Sequence, residues 1–237
     1  RKDAAARKTA LNAADIAFLC LPDAAAVEAV SMIENPDTVV LDTSTAHRTD
    51  PRFVYGFPEL AAEQAAHIAA SKRIAVPGCH ASGFIAAVAP LVQHGLLAPD
   101  AALTCHSVTG YSGGGKKMIA AYGEADRSPL YDAPRQYGLS QTHKHLPEMT
   151  AMCGLQSPPI FCPIVADFYS GMVVTVPLFA HQLTPGATAA DVKAVLKAAY
   201  GGSIVRYVVT ADADGVLSAA ALSGKDAMEV AVFGSET

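Results

Sequence analysis

Along the chain, apolar residues fall into short continuous runs separated by polar or helically periodic stretches. After a polar, alanine-rich opening that reads as helix, the first run, ADIAFLCLP, lies between Asp15 and Pro22. A run apolar at successive positions predicts a parallel strand buried on both faces. Cys20 would then sit in an apolar strand, where a thiol is inert. DAAAVEAVSMI follows with Ala26, Val27, Val30 and Ile33 on one helical face and Asp23 as a cap. TVVLDTSTAHR supplies a second strand that ends in a polar loop. This β–α–β order predicts a doubly wound α/β sheet, whose ligands lie beyond the carboxyl ends of the strands. The loops at Leu21-Pro22-Asp23 and from Asp42 to Arg48 are therefore expected to face a ligand.

The stretch IAVPGCHASGFIAAVAPLV, residues 74–92, joins a short apolar strand to a long apolar helix through Pro77 and Gly78. Proline lacks a backbone donor and glycine permits sharp geometry, so the pair ends the strand. Phe84, Ile85, Val88, Leu91 and Val92 then recur at helical spacing, which starts the helix within a residue or two of Cys79. A thiol there meets the positive end of the helix dipole, which favours the nucleophilic thiolate. Cysteine is also a common core residue, so nucleophile and core packing both remain open.

Beyond Cys79 the pattern changes. ALTCHSVTG is strand-like and runs into YSGGGKK, a glycine turn that lacks the phosphate-loop consensus and reads as a loop. Residues 121–159, rich in Tyr, Pro, Gly and His, form a long irregular excursion, and such excursions tend to be functional. FCPIVADF and GMVVTVPLFA read as two strands paired antiparallel about a turn at Tyr169-Ser170-Gly171. TAADVKAVLKAAY is an amphipathic helix capped by Thr188 and stopped by Gly201-Gly202, and the strands SIVRYVV and DAMEVAVFG follow it. The second half is thus expected to be α+β with a mostly antiparallel sheet, which divides the chain into domains at 1–77 and 78–237.

Composition narrows the function. A hydrophobic content of 51% over 237 residues is ample for a core. A net charge of -5 without a run of Lys or Arg argues against nucleic acid or an anionic membrane as partner and favours a small molecule. No apolar run reaches membrane-spanning length, and RKDAAARKTA lacks the apolar centre of a signal peptide. The five cysteines contain no CxxC pair, so neither a disulfide framework nor a zinc knuckle is suggested. A reducing cytoplasm fits this usage.

LSQTHKHLPEM, residues 139–149, concentrates two near-neutral titrating groups, His143 and His145, and one carboxylate, Glu148. A cysteine nucleophile needs a neighbouring acid or base, usually histidine. The same residues also suit a solvated surface, or a metal site with Cys153. The metal reading is the weaker, because nothing nearby supplies a fourth ligand, and no metal is expected.

PGC before a small-residue helix, then SVTGYSGGGKK, HKHLPE and FYSGMVVTVPL, in this order and spacing, resembles the shorter bacterial N-acetyl-γ-glutamyl-phosphate reductases. STAHR at 44–48 and YGFPEL at 55–60 resemble two further elements of that family. The resemblance implies a partial Rossmann-type domain joined to an α+β catalytic and dimerisation domain of the glyceraldehyde-phosphate dehydrogenase kind. It places the family cysteine on Cys79 and the His-x-His-x-Pro-Glu element on His143, His145, Pro147 and Glu148. One departure is that Asn-Pro-Gly-Cys-Tyr is here Val-Pro-Gly-Cys-His. The family's glycine-rich first unit and its closing helix are also not in the pattern, so this stretch alone is expected to bind NADPH weakly.

The chemistry implied is attack of Cys79 on an acyl phosphate, loss of phosphate, and reduction of the thioester by NADPH to a semialdehyde. The assembly implied is a homodimer or homotetramer. Cofactor contacts are expected from Leu21, Pro22, Ser44 and Gly83, and substrate anions are expected at Arg48, Lys116 and Arg135. Rival readings are an aspartate-semialdehyde dehydrogenase of the same architecture, a cysteine hydrolase using Cys79 and His145, and a non-catalytic binding piece.

Overall fold

A computed structural model describes residues 3–212 and 214–235. The chain divides into two compact units, Arg1–Gly78 and Cys79–Thr237.

In the first unit the elements are α1 (Ala4–Ala13), β1 (Ile16–Leu19), α2 (Asp23–Ser31), β2 (Val39–Asp42), β3 (Val54–Tyr55), α3 (Gln64–Ala70) and β4 (Arg73–Ala75). The strands lie in the order β1-β2-β4-β3, and every pairing is parallel. Leu19, Ala29, Val40, Phe53 and Ala75 form its core. Four expectations are corrected here. β1 is an edge strand with one covered face, because Ala17 and Leu19 are buried whereas Ile16 and Phe18 are 52% and 68% exposed. Cys20, just beyond it, is exposed as well. In α2 the inner face is Ala26 and Ala29 with Val30 and Ile33, and Val27 points outward. Asp23 is not the cap, which is Pro22. Its carboxylate instead accepts from the Thr45 N–H at 2.9 Å and the Thr45 hydroxyl at 2.5 Å, tying the loop after β1 to the loop after β2.

The second unit comprises α4 (Cys79–Gln93), β5 (Thr104–Gly110), α5 (Gly115–Gly123), β6 (Arg135–Gln136), α6 (Leu146–Cys153), β7 (Ile160–Ala166), β8 (Met172–Thr175), α7 (Ala189–Ala199), β9 (Val205–Tyr207) and β10 (Met228–Val230). Its four-stranded sheet has the order β6-β7-β5-β8, while β9 and β10 form a separate parallel pair. The two outer pairings are antiparallel and the central one, β5 with β7, is parallel. The expected hairpin between β7 and β8 does not form, because β5 lies between them. The chain crosses over the end of β5 at 167–171, where Tyr111 and Ser112 N–H groups donate to the Phe168 and Tyr169 carbonyls, both at 2.9 Å. A Cβ on Gly110 would lie 2.7 Å from both of those oxygens, so only glycine admits this crossing.

Other local readings match the elements. A capping box between Thr188 and Asp191 starts α7, which ends at Tyr200 before Gly201. YSGGGKK is a 3-10 turn, Tyr111–Gly114, leading directly into α5. The 121–159 excursion is less irregular than its composition suggests, since it contains β6 and α6.

Directly paired residues share a sheet face. The register Cys105↔Phe161, Ser107↔Pro163 and Ser107↔Val174 therefore places these side chains on one face, and Arg135↔Val165 continues it. α4 packs against this face. A Cβ on Gly83 would sit 2.5 Å from Val174 Cγ2, so the missing side chain sets the close approach of helix to strand.

Candidate active site

Cys79 is the first residue of α4 and is exposed, while His80, Phe84, Val88 and Leu91 on the same helix are buried. His80 and Phe84 are one turn apart and share the inner face, which carries a histidine's polar atoms onto an otherwise apolar surface. Those atoms are satisfied. His80 Nδ1 lies 2.6 Å from Ser107 Oγ on β5, and Nε2 lies 2.8 Å from the Tyr137 hydroxyl, just beyond β6.

The histidine segment reaches this point because its approach is pinned to β7. Tyr137 N–H donates to Pro163 O at 3.0 Å. Gln141 then mimics a strand, its amide donating to Phe161 O and accepting from Phe161 N–H, both at 2.8 Å. The chain turns at His145, the N-cap of α6, and Pro147 favours the first helical turn. Glu148, on that turn, is 1% exposed, and its Oε1 lies 3.9 Å from His145 Nε2.

The result is a compact cluster. The Cys79 sulfur and one ring nitrogen each of His80 and His145 all lie within 4.8 Å of one another. The His143 ring centroid is 4.8 Å from that of His145 and 5.9 Å from that of His80, and Phe161 packs edge-on to His80 and His143. Burial pushes His80 down to about 4, and the neighbouring His143 and Lys144 charges add to this. His143 is lowered for the same reasons, burial first and Lys144 second. Burial, with the nearby Cys79, pushes the Tyr137 phenol up to about 12, so it stays a hydrogen-bond donor.

The weaker alternative of a metal set from His143, His145 and Cys153 is not among the close donor clusters of the described residues. Cys153 is buried at the end of α6, where burial raises its thiol.

The cation and cofactor expectations fare unevenly. Arg48 is 9% exposed, and its guanidinium donates to the Val76 carbonyl at 3.0 Å and the Thr43 carbonyl at 3.1 Å, which makes it a strut for the loop after β2. Lys116 is exposed on the first turn of α5. Arg135 stands on the same sheet face as Tyr137, two residues along the strand direction. Its Cζ lies 3.9 Å over the Tyr131 ring, and its Nη2 donates to the Tyr122 hydroxyl at 3.0 Å. Its buried Nε has no hydrogen-bond partner among the described residues.

Ser44 is buried at the start of the loop after β2. Its hydroxyl donates to the buried Asp42 carboxylate at 2.7 Å, which lies 2.5 Å from His47 Nδ1, so the side chain anchors the loop from inside. Gly83 lies against Val174. Leu21 and Pro22 are exposed at the carboxyl end of β1.

Residues 79–237 match the family described as "Semialdehyde dehydrogenase, dimerisation domain", and residues 2–68 match "Semialdehyde dehydrogenase, NAD binding domain". The curated N-acetyl-gamma-glutamyl-phosphate reductase of Rhizobium etli is 45% identical over 240 residues, covering 99% of this chain and 77% of the relative. The chain belongs to the N-acetyl-gamma-glutamyl-phosphate reductase family. The Burkholderia cenocepacia reductase is similar at 44% identity, covering 100% of this chain and 76% of that one. Among solved structures, aspartate semialdehyde dehydrogenase from Francisella tularensis shares the fold, with a TM-score of 0.67 at 14% identity, covering 94% of this chain and 73% of that one. The Vibrio cholerae aspartate semialdehyde dehydrogenase II gives 0.66 at 16%, covering 93% and 70%.

In this reductase family member, His80 beside Cys79, and Ser107 and Tyr137 that bond to His80, were not singled out from sequence. The available signal was His80 itself, a polar residue one turn before Phe84 on a helix whose other inner positions are apolar.

Proposed function

We propose that the chain catalyses the NADPH-dependent reduction of N-acetyl-γ-glutamyl phosphate to the semialdehyde and phosphate, with Cys79 as the acyl acceptor. The supporting observation is an exposed thiol at the start of α4 with a buried histidine nitrogen within 4.8 Å of it. Cys79 sulfur attacks the acyl carbon, a C–S bond forms, and the C–O bond to phosphate breaks. NADPH, when bound, would supply the hydride for the thioester carbon. His145, held 3.9 Å from the Glu148 carboxylate, is assigned the proton given to the developing alkoxide and withdrawn again as the C–S bond breaks. His143 is assigned a supporting place against His145. Arg135 is assigned the substrate's anionic group, to which its unpaired Nε–H would add a charge-assisted bond once that group displaces the packing over it.

The first unit fits a dinucleotide. Its strands are parallel, and the exposed Leu21-Pro22 edge stands at the carboxyl end of β1, held beside the loop after β2 by Asp23 and Thr45. Those residues would hold NADPH. No helix among the described residues is long and apolar enough to cross a membrane. We assign a cytoplasmic homodimer, in line with the dimerisation-domain match.

The aspartate-semialdehyde alternative has support only from structures at 14–16% identity, which speak to fold, whereas the 43–45% relatives carry the N-acetyl-γ-glutamyl-phosphate name. The test is phosphate- and NADP-dependent oxidation of the two semialdehydes. Turnover of the N-acetylglutamate compound, lost in Cys79→Ser, supports the assignment. Turnover of aspartate semialdehyde alone would overturn it.

A further inference from the structure

We propose that Cys79, His80 and His145 form a binding site for a thiophilic divalent cation of the zinc class. Their three donor atoms lie within 4.8 Å of one another. Tetrahedral zinc, with bonds of about 2.3 Å to sulfur and about 2.0–2.1 Å to nitrogen, holds its donors roughly 3.3–3.6 Å apart, so shifts of about 1 Å close the set.

The surroundings meet the further needs of such a site. A ligating histidine ordinarily donates its other ring N–H to a fixed acceptor, which sets the tautomer and aims the lone pair. Ser107 Oγ, on a residue that is 0% exposed, stands 2.6 Å from His80 Nδ1 and fills that place. Nε2 is then the ligand atom, and the ion displaces its hydrogen bond with the Tyr137 hydroxyl. His80 and His145 are each 4% exposed, so packing holds both rings. Cys79 is exposed, which lets its sulfur turn toward them and leaves a fourth position for water.

Binding converts the Cys79 thiol to a zinc thiolate, releases one proton, and changes no oxidation state. Occupancy does not depend on the catalytic role assigned to Cys79. If that role holds, the coordinated sulfur cannot attack an acyl phosphate, and zinc acts as an inhibitor that a chelator reverses. Binding without inhibition would therefore count against the role of Cys79 and leave the site standing.

The test begins with Co2+ added to reduced, metal-free protein. One equivalent should give a thiolate-to-cobalt charge-transfer band together with the strong visible bands of a four-coordinate ion, and Zn2+ should bleach both. Cys79→Ser should abolish the charge-transfer band. His80→Gln and His145→Gln should each weaken binding by at least about tenfold. Glutamine spaces its amide oxygen and nitrogen much as imidazole spaces its two nitrogens, which keeps the links to Ser107 and Tyr137. In the unaltered protein, Zn2+ should slow iodoacetamide labelling of Cys79 by at least about tenfold, measured peptide by peptide, and this arm needs no variant to fold. A charge-transfer band that survives Cys79→Ser, affinity unchanged in His80→Gln, or labelling of Cys79 unaffected by Zn2+ would overturn the site.

Discussion

Substituting Gly83 with alanine tests whether α4, and with it Cys79, is positioned by close contact with β8. The added Cβ would lie 2.5 Å from Val174 Cγ2, 2.8 Å from its Cβ and 3.4 Å from its Cγ1. Carbon atoms rest at about 3.5–4.0 Å. Rotating Val174 moves the two methyl carbons but not Cβ, so the side chain alone cannot relieve the contact. Helix and strand must part by something under about 1 Å. Overpacking of this kind costs about 1–3 kcal/mol, and the gain in helix propensity from Gly to Ala offsets roughly 0.5–1 kcal/mol of it. The expected net loss is about 1–2 kcal/mol in urea denaturation followed by circular dichroism. Because Val174→Ala removes two of the three close atoms, the double variant should be more stable than the sum of the singles by at least about 0.5 kcal/mol. A Gly83→Ala protein as stable as the parent, with no coupling to Val174, would refute the reasoning.

Other consequences are independent of that contact. His145→Gln should lower kcat by about 10²–10⁴-fold, and His143→Gln should lower it by far less; equal losses would contradict the assignment of the proton to His145. Arg135→Met should raise KM for the acyl phosphate by about 10–100-fold, the value of a charge-assisted hydrogen bond, and an unchanged KM would remove Arg135 from the site. Burial keeps His80 neutral in the folded protein down to about 4, below the ordinary imidazole value of 6.5. The unfolded chain therefore takes up that proton first, and this contribution to stability, present above the unfolded value, is lost as pH falls through the folded one. Between about pH 7 and about pH 5 the loss amounts to about 2 kcal/mol by linkage. Denaturation at the two pH values with EDTA present should show a shallower dependence in His80→Gln, and an unchanged slope would mean that His80 is charged when folded.

Local chemistry made much of this legible in the sequence. Pro77 and Gly78 mark the end of a strand and the start of α4 at Cys79, because their backbone restrictions act wherever they occur. Thr188 and Asp191 announce α7 through reciprocal capping. The nearness of His145 to Cys79 followed from what a thiol nucleophile requires, not from any local pattern. What escaped was set by pairing at a distance. Tyr169-Ser170-Gly171 has the composition of a hairpin turn, yet the chain uses it to cross over β5, a choice decided by the bare backbone of Gly110. The strut role of Arg48 was also hidden, because its loop is merely polar in the sequence. Its guanidinium is held by carbonyls at positions 43 and 76, a contact that no spacing along the chain reveals. Likewise, Tyr137 and Ser107 meet His80 only once the β5–β7 register is fixed.

The central claim is that Cys79 carries the acyl group, and trapping that thioester tests it most directly. Protein incubated with N-acetyl-γ-glutamyl phosphate in the absence of NADPH, quenched in acid and analysed by intact and peptide mass spectrometry should gain one acyl group. The adduct should map to the peptide containing Cys79, be removed by hydroxylamine, and be absent from Cys79→Ser. An unmodified Cys79, or an adduct of equal yield in Cys79→Ser, would contradict the account.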